Sequence, residues 1–328
     1  MQYNRLGHSD LTVSRICIGT MTFGDRVDQA EAARCCDLAL ERGVNFFDTA
    51  DIYPPGPGLA GKSEKMLGKA LKGKRDKAII ATKVAGAMDF KAGKTGGLKH
   101  DYVIQEAEDS LRRLDTDYID LYYAHFPDKN VSCAELITTM NELIRAGKIR
   151  HYGVSNFPAW RICEMVFTAR ELGLEPPVVT QSVYNLLTRG AEDEIIPFAE
   201  AYDLGVVAFN PLAGGMLTGK YQQGSNVEGS RFALQKGYEM RYYSDANRSA
   251  VAQLEEIAAL RGLSVIELAY AWLLGHRRLH AALMGFSSEK QLESNLDSVE
   301  KVKDLILPDE SFDRIWKDLT GNRFAAHY

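Results

Sequence analysis

The stretch Phe46-Phe47-Asp48-Thr49-Ala50-Asp51-Ile52-Tyr53 sets two bulky apolar residues before an acid, with a tyrosine five positions further on. A tyrosine alone, with an ordinary pKa of ~10, is a poor proton donor or acceptor near neutrality and needs a charged partner. Two later apolar runs end in groups able to supply one. Lys83 follows Ile79-Ile80-Ala81-Thr82, and His125 follows Leu121-Tyr122-Tyr123-Ala124. Singly, each has a plainer reading: Lys83 as a solvated strand-end charge, His125 as a structural histidine, Asp48 as a cap on the Thr49-Ala50 turn. Jointly, a lysine enclosed by apolar neighbours needs a carboxylate, and the neighbouring run ends in one. The chemistry this set offers is general acid–base catalysis by a tyrosine. Asp51 has no such partner in view and reads as a loop-facing or solvated carboxylate.

These residues become a site only if the elements carrying them end on one rim. After a turn cluster at 6–11, read as a small N-terminal β-hairpin, strand and helix signals alternate eight times. Short apolar strands are expected at 15–21, 44–48, 78–83, 119–125, 150–155, 178–183, 206–210 and 281–286. Helices are expected from the Asp28 N-cap to Arg42, and over 63–71, 99–114, 132–145, 191–202, 247–260, 264–274 and 289–299, with a last one near 309–319. Pro158 suits a helix's first turn. Residues 211–245 carry little apolar periodicity. Continuous apolar strands alternating with helices predict a parallel sheet buried on both faces. Eight units without a composition break predict a single domain over 1–328: an α/β, (β/α)8 TIM barrel with an N-terminal hairpin and extra C-terminal helices. A doubly wound sheet is the alternative, weakened because no GxGxxG follows the first strand. In a barrel, Asp48, Lys83, His125, Ser155, Asn156 and Gln181 all fall at C-terminal strand ends.

The 328 residues carry a net charge of −5, which argues against nucleic acid or an anionic membrane as partner. No apolar run reaches the ~20 residues of a spanning helix. The N-terminus lacks an apolar signal region, and five scattered cysteines show no metal-ligand spacing; a cytoplasmic location is the expectation.

The set of motifs closely resembles the aldo-keto reductase superfamily. The match lies in Asp48-Thr49-Ala50-Asp51-Ile52-Tyr53, Thr82-Lys83, His125-Phe126-Pro127-Asp128, Gly153-Val154-Ser155-Asn156-Phe157 and Gln181-Ser182-Val183-Tyr184-Asn185. The resemblance implies a tetrad of Asp48, Tyr53, Lys83 and His125. In it Lys83, held by Asp48, lowers the Tyr53 pKa, Tyr53 moves the proton, and His125 orients a carbonyl oxygen. It also implies a nicotinamide cofactor. Its carboxamide would be held by Ser155, Asn156 and Gln181, and its ring would stack on Phe209. Its remainder would lie along Gly19, Thr20, Met21, Asp48, Asn210, Pro211, Leu212, Gly214, Lys220, Gly285, Gln291 and Asn295. Many relatives place arginine at the position of Ser287 for the adenosine 2′-phosphate. The form Gly285-Phe286-Ser287-Ser288 instead resembles the branch of aflatoxin-aldehyde reductases and potassium-channel β subunits, where an arginine at the position of Arg231 contributes. NADP(H) is thus expected ahead of NAD(H).

Substrate contacts are expected from Thr22, Phe23, the 54–58 and 86–97 loops (including Phe90, Lys91 and Lys94), Phe126, and the 237–243 stretch with Arg241, Tyr242 and Tyr243. A small carbonyl or alcohol is the expected partner. Two rivals stand beside the enzyme: a cofactor-binding regulatory subunit of the same fold, and a metal-dependent hydrolase. The second would need several histidines at one rim. His151, near the start of its strand, points to the other, and no metal is expected.

Overall fold

In the computed structural model, which describes residues 1–86, 96–276, 278–307 and 310–319, the chain opens with an antiparallel hairpin of β1 (Tyr3–Arg5) and β2 (Thr12–Ser14). Eight parallel strands follow: β3 (Ile16–Gly19), β4 (Phe46–Asp48), β5 (Ile79–Val84), β6 (Ile119–Ala124), β7 (Ile149–Ser155), β8 (Val179–Val183), β9 (Gly205–Phe209) and β10 (Ala281–Gly285). They pair in chain order, and β10 closes the ring between β9 and β3. The fold is the expected (β/α)8 barrel, and the strands fall within about two residues of their predicted ends.

Around it stand α1 (Gln29–Glu41), α2 (Lys62–Ala70), α3 (His100–Leu114), α4 (Cys133–Arg145), α5 (Ala159–Leu172) and α6 (Ile195–Ala201). Next come the short α7 (Arg231–Leu234) and α8 (Lys236–Tyr242), then α9 (Asp245–Leu260), α10 (Val265–Gly275), α11 (Glu289–Val302) and α12 (Glu310–Asp318). Starts follow side-chain chemistry: Asp28 Oδ1 accepts from the Glu31 amide at 2.8 Å, and Ser264 forms a capping box with Glu267. Three local readings are corrected. Pro158 is extended and sits at the N-cap of α5, one residue before the first helical turn. The helix expected at 191–202 divides into a 3₁₀ turn, Gly190–Glu192, and α6. Residues 211–245 are not featureless: a 3₁₀ segment, Ala213–Thr218, precedes α7 and α8. It is kinked because Gly214 and Gly215 hold φ of +65° and +100°, outside any helix.

Two apolar clusters hold the molecule. The larger lies between the strands' outer faces and the helices. The smaller fills the barrel itself: Cys17, Phe46, Ala81, Leu121, Tyr123, Val179 and Val207 pack with Leu6, Leu11 and Val13 of the hairpin segment. That segment closes the end of the barrel where the strands begin. At Gly7 (φ +56°) a Cβ would come within 2.4 Å of the Val178 carbonyl, so the chain lies against the strand starts as only glycine permits. Among the described residues, no single helix is long and apolar enough to cross a membrane.

Candidate active site

The open rim holds a cavity of about 350 Å³, at the strands' C-terminal ends. Asp48 lines this cavity and belongs to a buried pair of opposite charges. Lys83, on β5, is 0% exposed and Asp48, ending β4, is 1% exposed. The two form an ion pair, and the ammonium also donates to the Thr49 carbonyl at 2.7 Å. The other carboxylate oxygen of Asp48 accepts from Gln181 Nε2 at 2.9 Å. Burial pushes the Asp48 carboxyl up, against the Lys83 and Gln181 bonds that stabilise its anion.

Lys83 lies behind Tyr53, its Nζ 5.0 Å from the centre of the phenol ring. Burial raises the Tyr53 pKa well above the ordinary phenol value. The Asp48 charge adds to the rise, and Arg231 opposes it. This corrects the expectation of a phenol whose pKa Lys83 lowers: the ammonium is committed to Asp48, and desolvation wins. His125 is buried and lies edge-on to Tyr53, ring centres 5.8 Å apart, and stacks on Phe126 at 4.3 Å. Burial, then the Lys83 charge, push its pKa well below the ordinary imidazole value, so the ring is neutral near pH 7. Its Nδ1 is buried without a hydrogen-bond partner.

The amide cluster is continuous with this group. Asn156 Nδ2 donates to the His125 carbonyl at 3.0 Å and to Ser155 Oγ at 3.1 Å, and Ser155 Oγ donates to the Gln181 carbonyl at 3.1 Å. Asn156 and Asn210 turn the chain off β7 and β9 with φ of +62° and +55°, a conformation asparagine tolerates better than most residues. The cavity wall holds Gly19, Met21, Asp48, Tyr53, His125, Ser155, Asn156, Gln181, Phe209, Asn210, Pro211, Leu212, Gly214, Lys220, Arg231, Gly285, Ser287 and Gln291.

Two of the predicted cofactor residues stand off that wall. Thr20 is buried and bonded to the Asp48 carbonyl and Ser63 Oγ, which makes it a support for the strand end. Asn295 is buried one helical turn beyond Gln291, and its Nδ2 lacks a partner. Among the expected substrate residues, Thr22, Phe126 and Arg241 reach the cavity. Phe23 is buried against Phe286 and Tyr242 lies in the core, while Phe90, Lys91 and Lys94 lie outside the described residues. His151 bonds Asp10 at 2.7 Å, at the hairpin end. No three metal-ligating side chains converge among the described residues.

Asp51 is the clearest correction. It is 0% exposed, not solvated. Its Oδ1 accepts from the Ile52 amide at 2.7 Å, and its Oδ2 has no partner. Burial, then the charges of Glu64 and Glu106, raise its pKa well above the carboxylate range. Arg113 of α3 binds both glutamates, and Thr82 Oγ1 donates to Glu64 at 2.6 Å. This network, absent from the sequence reading, supports the β4 and β5 ends from behind. Its signal was an acid, Glu64, on the inward stripe of α2. Tyr238, within the expected 237–243 stretch, also belongs to the wall, as do Arg26 and Tyr270, which were not singled out.

Residues 15–317 match the Aldo/keto reductase family. The chain is 34% identical to a "Probable voltage-gated potassium channel subunit beta" of Oryza sativa subsp. japonica, covering 96% of this chain and 95% of that one. It is 34% identical to "Protein tas" of Escherichia coli (strain K12), over 91% and 93% of the two chains. With "Uncharacterized oxidoreductase YrpG" of Bacillus subtilis (strain 168) it shares 35% identity, over 92% and 91%. A buried lysine–carboxylate pair behind a tyrosine, beside a neutral histidine at the mouth of a closed barrel, thus occurs in a chain that belongs to the aldo/keto reductase family.

Proposed function

We propose that the protein reduces an aldehyde or ketone to the alcohol, or runs the reverse reaction, with NADP(H) as cofactor and Tyr53 as the proton-transferring group. The observation that carries this reading is the buried Lys83–Asp48 pair directly behind Tyr53. The cavity wall fits a dinucleotide in its chemistry. It has an amide cluster at Ser155, Asn156 and Gln181, an aromatic face at Phe209, and cations at Lys220 and Arg231. Beyond them lies the N-terminal end of α11 at Ser287 and Gln291. Gly214, with φ +65°, lets the backbone come close. When bound, the nicotinamide supplies or accepts the hydride.

The chain's own residues handle orientation and the proton. His125, neutral, donates a ring N–H to the carbonyl oxygen and holds it near the Tyr53 hydroxyl. Tyr53 stays protonated because it is buried, and gives its proton to the oxygen as negative charge gathers there. Lys83 then faces the phenolate, with Asp48 fixing its position. In the oxidative direction the Tyr53 phenolate accepts the alcohol proton, and the Arg231 charge favours that phenolate against the burial that opposes it.

The test is a panel of aldehydes and ketones with NADPH and NADH, run on the wild type and on Tyr53→Phe. Turnover should fall roughly 10²–10⁴-fold in the variant, the usual worth of a general acid, while cofactor affinity stays. Retained turnover would remove Tyr53 from the mechanism, and a larger kcat/KM with NADH would reverse the cofactor preference. A second reading, a cofactor-binding regulatory subunit, is favoured by the potassium-channel β-subunit name of the rice relative. Tight dinucleotide binding without turnover of any carbonyl would favour it.

A further inference from the structure

Around the rim, β10 stands between β9 and β3, so three loops border the Ser287 end of the cavity. The excursion after β9 brings Lys220 and Arg231 to the wall from one side. The β10–α11 loop brings Ser287, a neutral residue, in the middle. From the other side, the loop between β3 and α1 brings Arg26. That loop is fixed to the β10–α11 loop. Thr22 Oγ1 donates to the Phe286 carbonyl at 2.8 Å, and the Phe23 ring meets Phe286 edge-on at 6.1 Å. Gly24, with φ +87°, and the Phe23–Val27 bridge turn the chain so that Arg26 follows at the rim.

Among the described residues, no carboxylate pairs with the half-buried Arg26 guanidinium. Asp25, its chain neighbour, is exposed, and three other acids of the adjoining elements have other partners. Glu289 binds Arg34 at 2.6 Å, Glu31 accepts from the Glu289 amide at 2.8 Å, and Asp28 caps α1. A guanidinium lining a cavity without a counter-charge is a ready fork for phosphate oxygens.

We propose that Arg26 is a phosphate-binding residue of the dinucleotide groove, standing across Ser287 from Lys220 and Arg231. The inference rests on the cofactor reading given above. It assigns the cation to this chain's first barrel loop, where the sequence looked only to residue 287 and the long excursion.

The experiment titrates NADPH and NADH into wild type, Arg26→Gln and Arg26→Lys by nucleotide fluorescence at low and high salt, with the substrate KM measured at saturating cofactor. Loss of a charge-assisted bond predicts NADPH binding about 10- to 100-fold weaker in Arg26→Gln, with a shallower salt dependence. Arg26→Lys should recover part of the loss, keeping charge without the fork. A loss confined to NADPH places Arg26 on the 2′-phosphate, and an equal loss for both nucleotides places it on the diphosphate; either supports the proposal. Affinities within twofold of wild type for both nucleotides would overturn it. So would a raised substrate KM with unchanged cofactor affinity, which would place Arg26 against the substrate. Failure of the wild type to bind either nucleotide would instead sink the cofactor reading itself, and this inference with it.

Discussion

Asp48 and Asp51 lie three residues apart, both buried, in opposite electrostatic settings. Asp48 meets an ammonium and an amide; Asp51 meets one backbone N–H and two further acids. The Asp51 proton is therefore held far above the pH at which an unfolded aspartate, with a pKa of about 3.9, releases it. The folded chain binds a proton that the unfolded chain has lost, so this group's contribution to stability is full below that value and declines as pH rises toward the raised pKa. Asp51→Asn keeps a neutral group of the same shape and removes the penalty. Thermal unfolding should show the variant more stable than wild type at pH 7, by at least roughly 1 kcal/mol, with the gap closing toward pH 4. Carbonyl turnover should be largely unchanged; a variant less stable at pH 7 would mean that Asp51 is ionised. Asp48, Lys83 and His125 were legible because each ends an apolar run, a signal contained in a few neighbouring residues. Asp51 was not, because its environment comes from Glu64 and Glu106, which the fold brings in on α2 and α3.

At the scale of elements, α2 is placed by a glycine. A Cβ at Gly68 would fall 2.2 Å from the Leu114 carbonyl of α3, backbone that has no rotamer to yield. Gly68→Ala would part α2 from α3 and pull at Ser63 and Glu64, which hold Thr20, Thr49 and Thr82 beneath the rim. We expect a loss of about 1–3 kcal/mol in denaturant unfolding, accompanied by lower kcat. Unchanged stability would show that the helices slide apart freely. Periodicity located the helices and strands themselves well, since each buries one stripe or two faces. It missed the short turns between Ala213 and Tyr242, whose shape follows from glycine dihedrals and from packing of Phe232 and Tyr242 into the core, not from any repeat.

At the scale of the molecule, eight alternating units were enough to anticipate a closed barrel, but not which side chains would fill it. The N-terminal hairpin, legible only as a turn between extended pieces, proves to be the floor of the barrel interior. Leu11→Ala should open a void there and cost about 2–5 kcal/mol, while dinucleotide affinity at the far rim stays within about twofold; a large loss of affinity would show that floor and mouth are coupled. The same geometry has a practical side. Met1 lies beside Gly43, just before β4 begins, and so at the end of the barrel opposite the cavity. A linker joined there leaves away from the rim, so a sensor surface or resin carrying the protein by its first residue would present every mouth outward, open to whatever flows past.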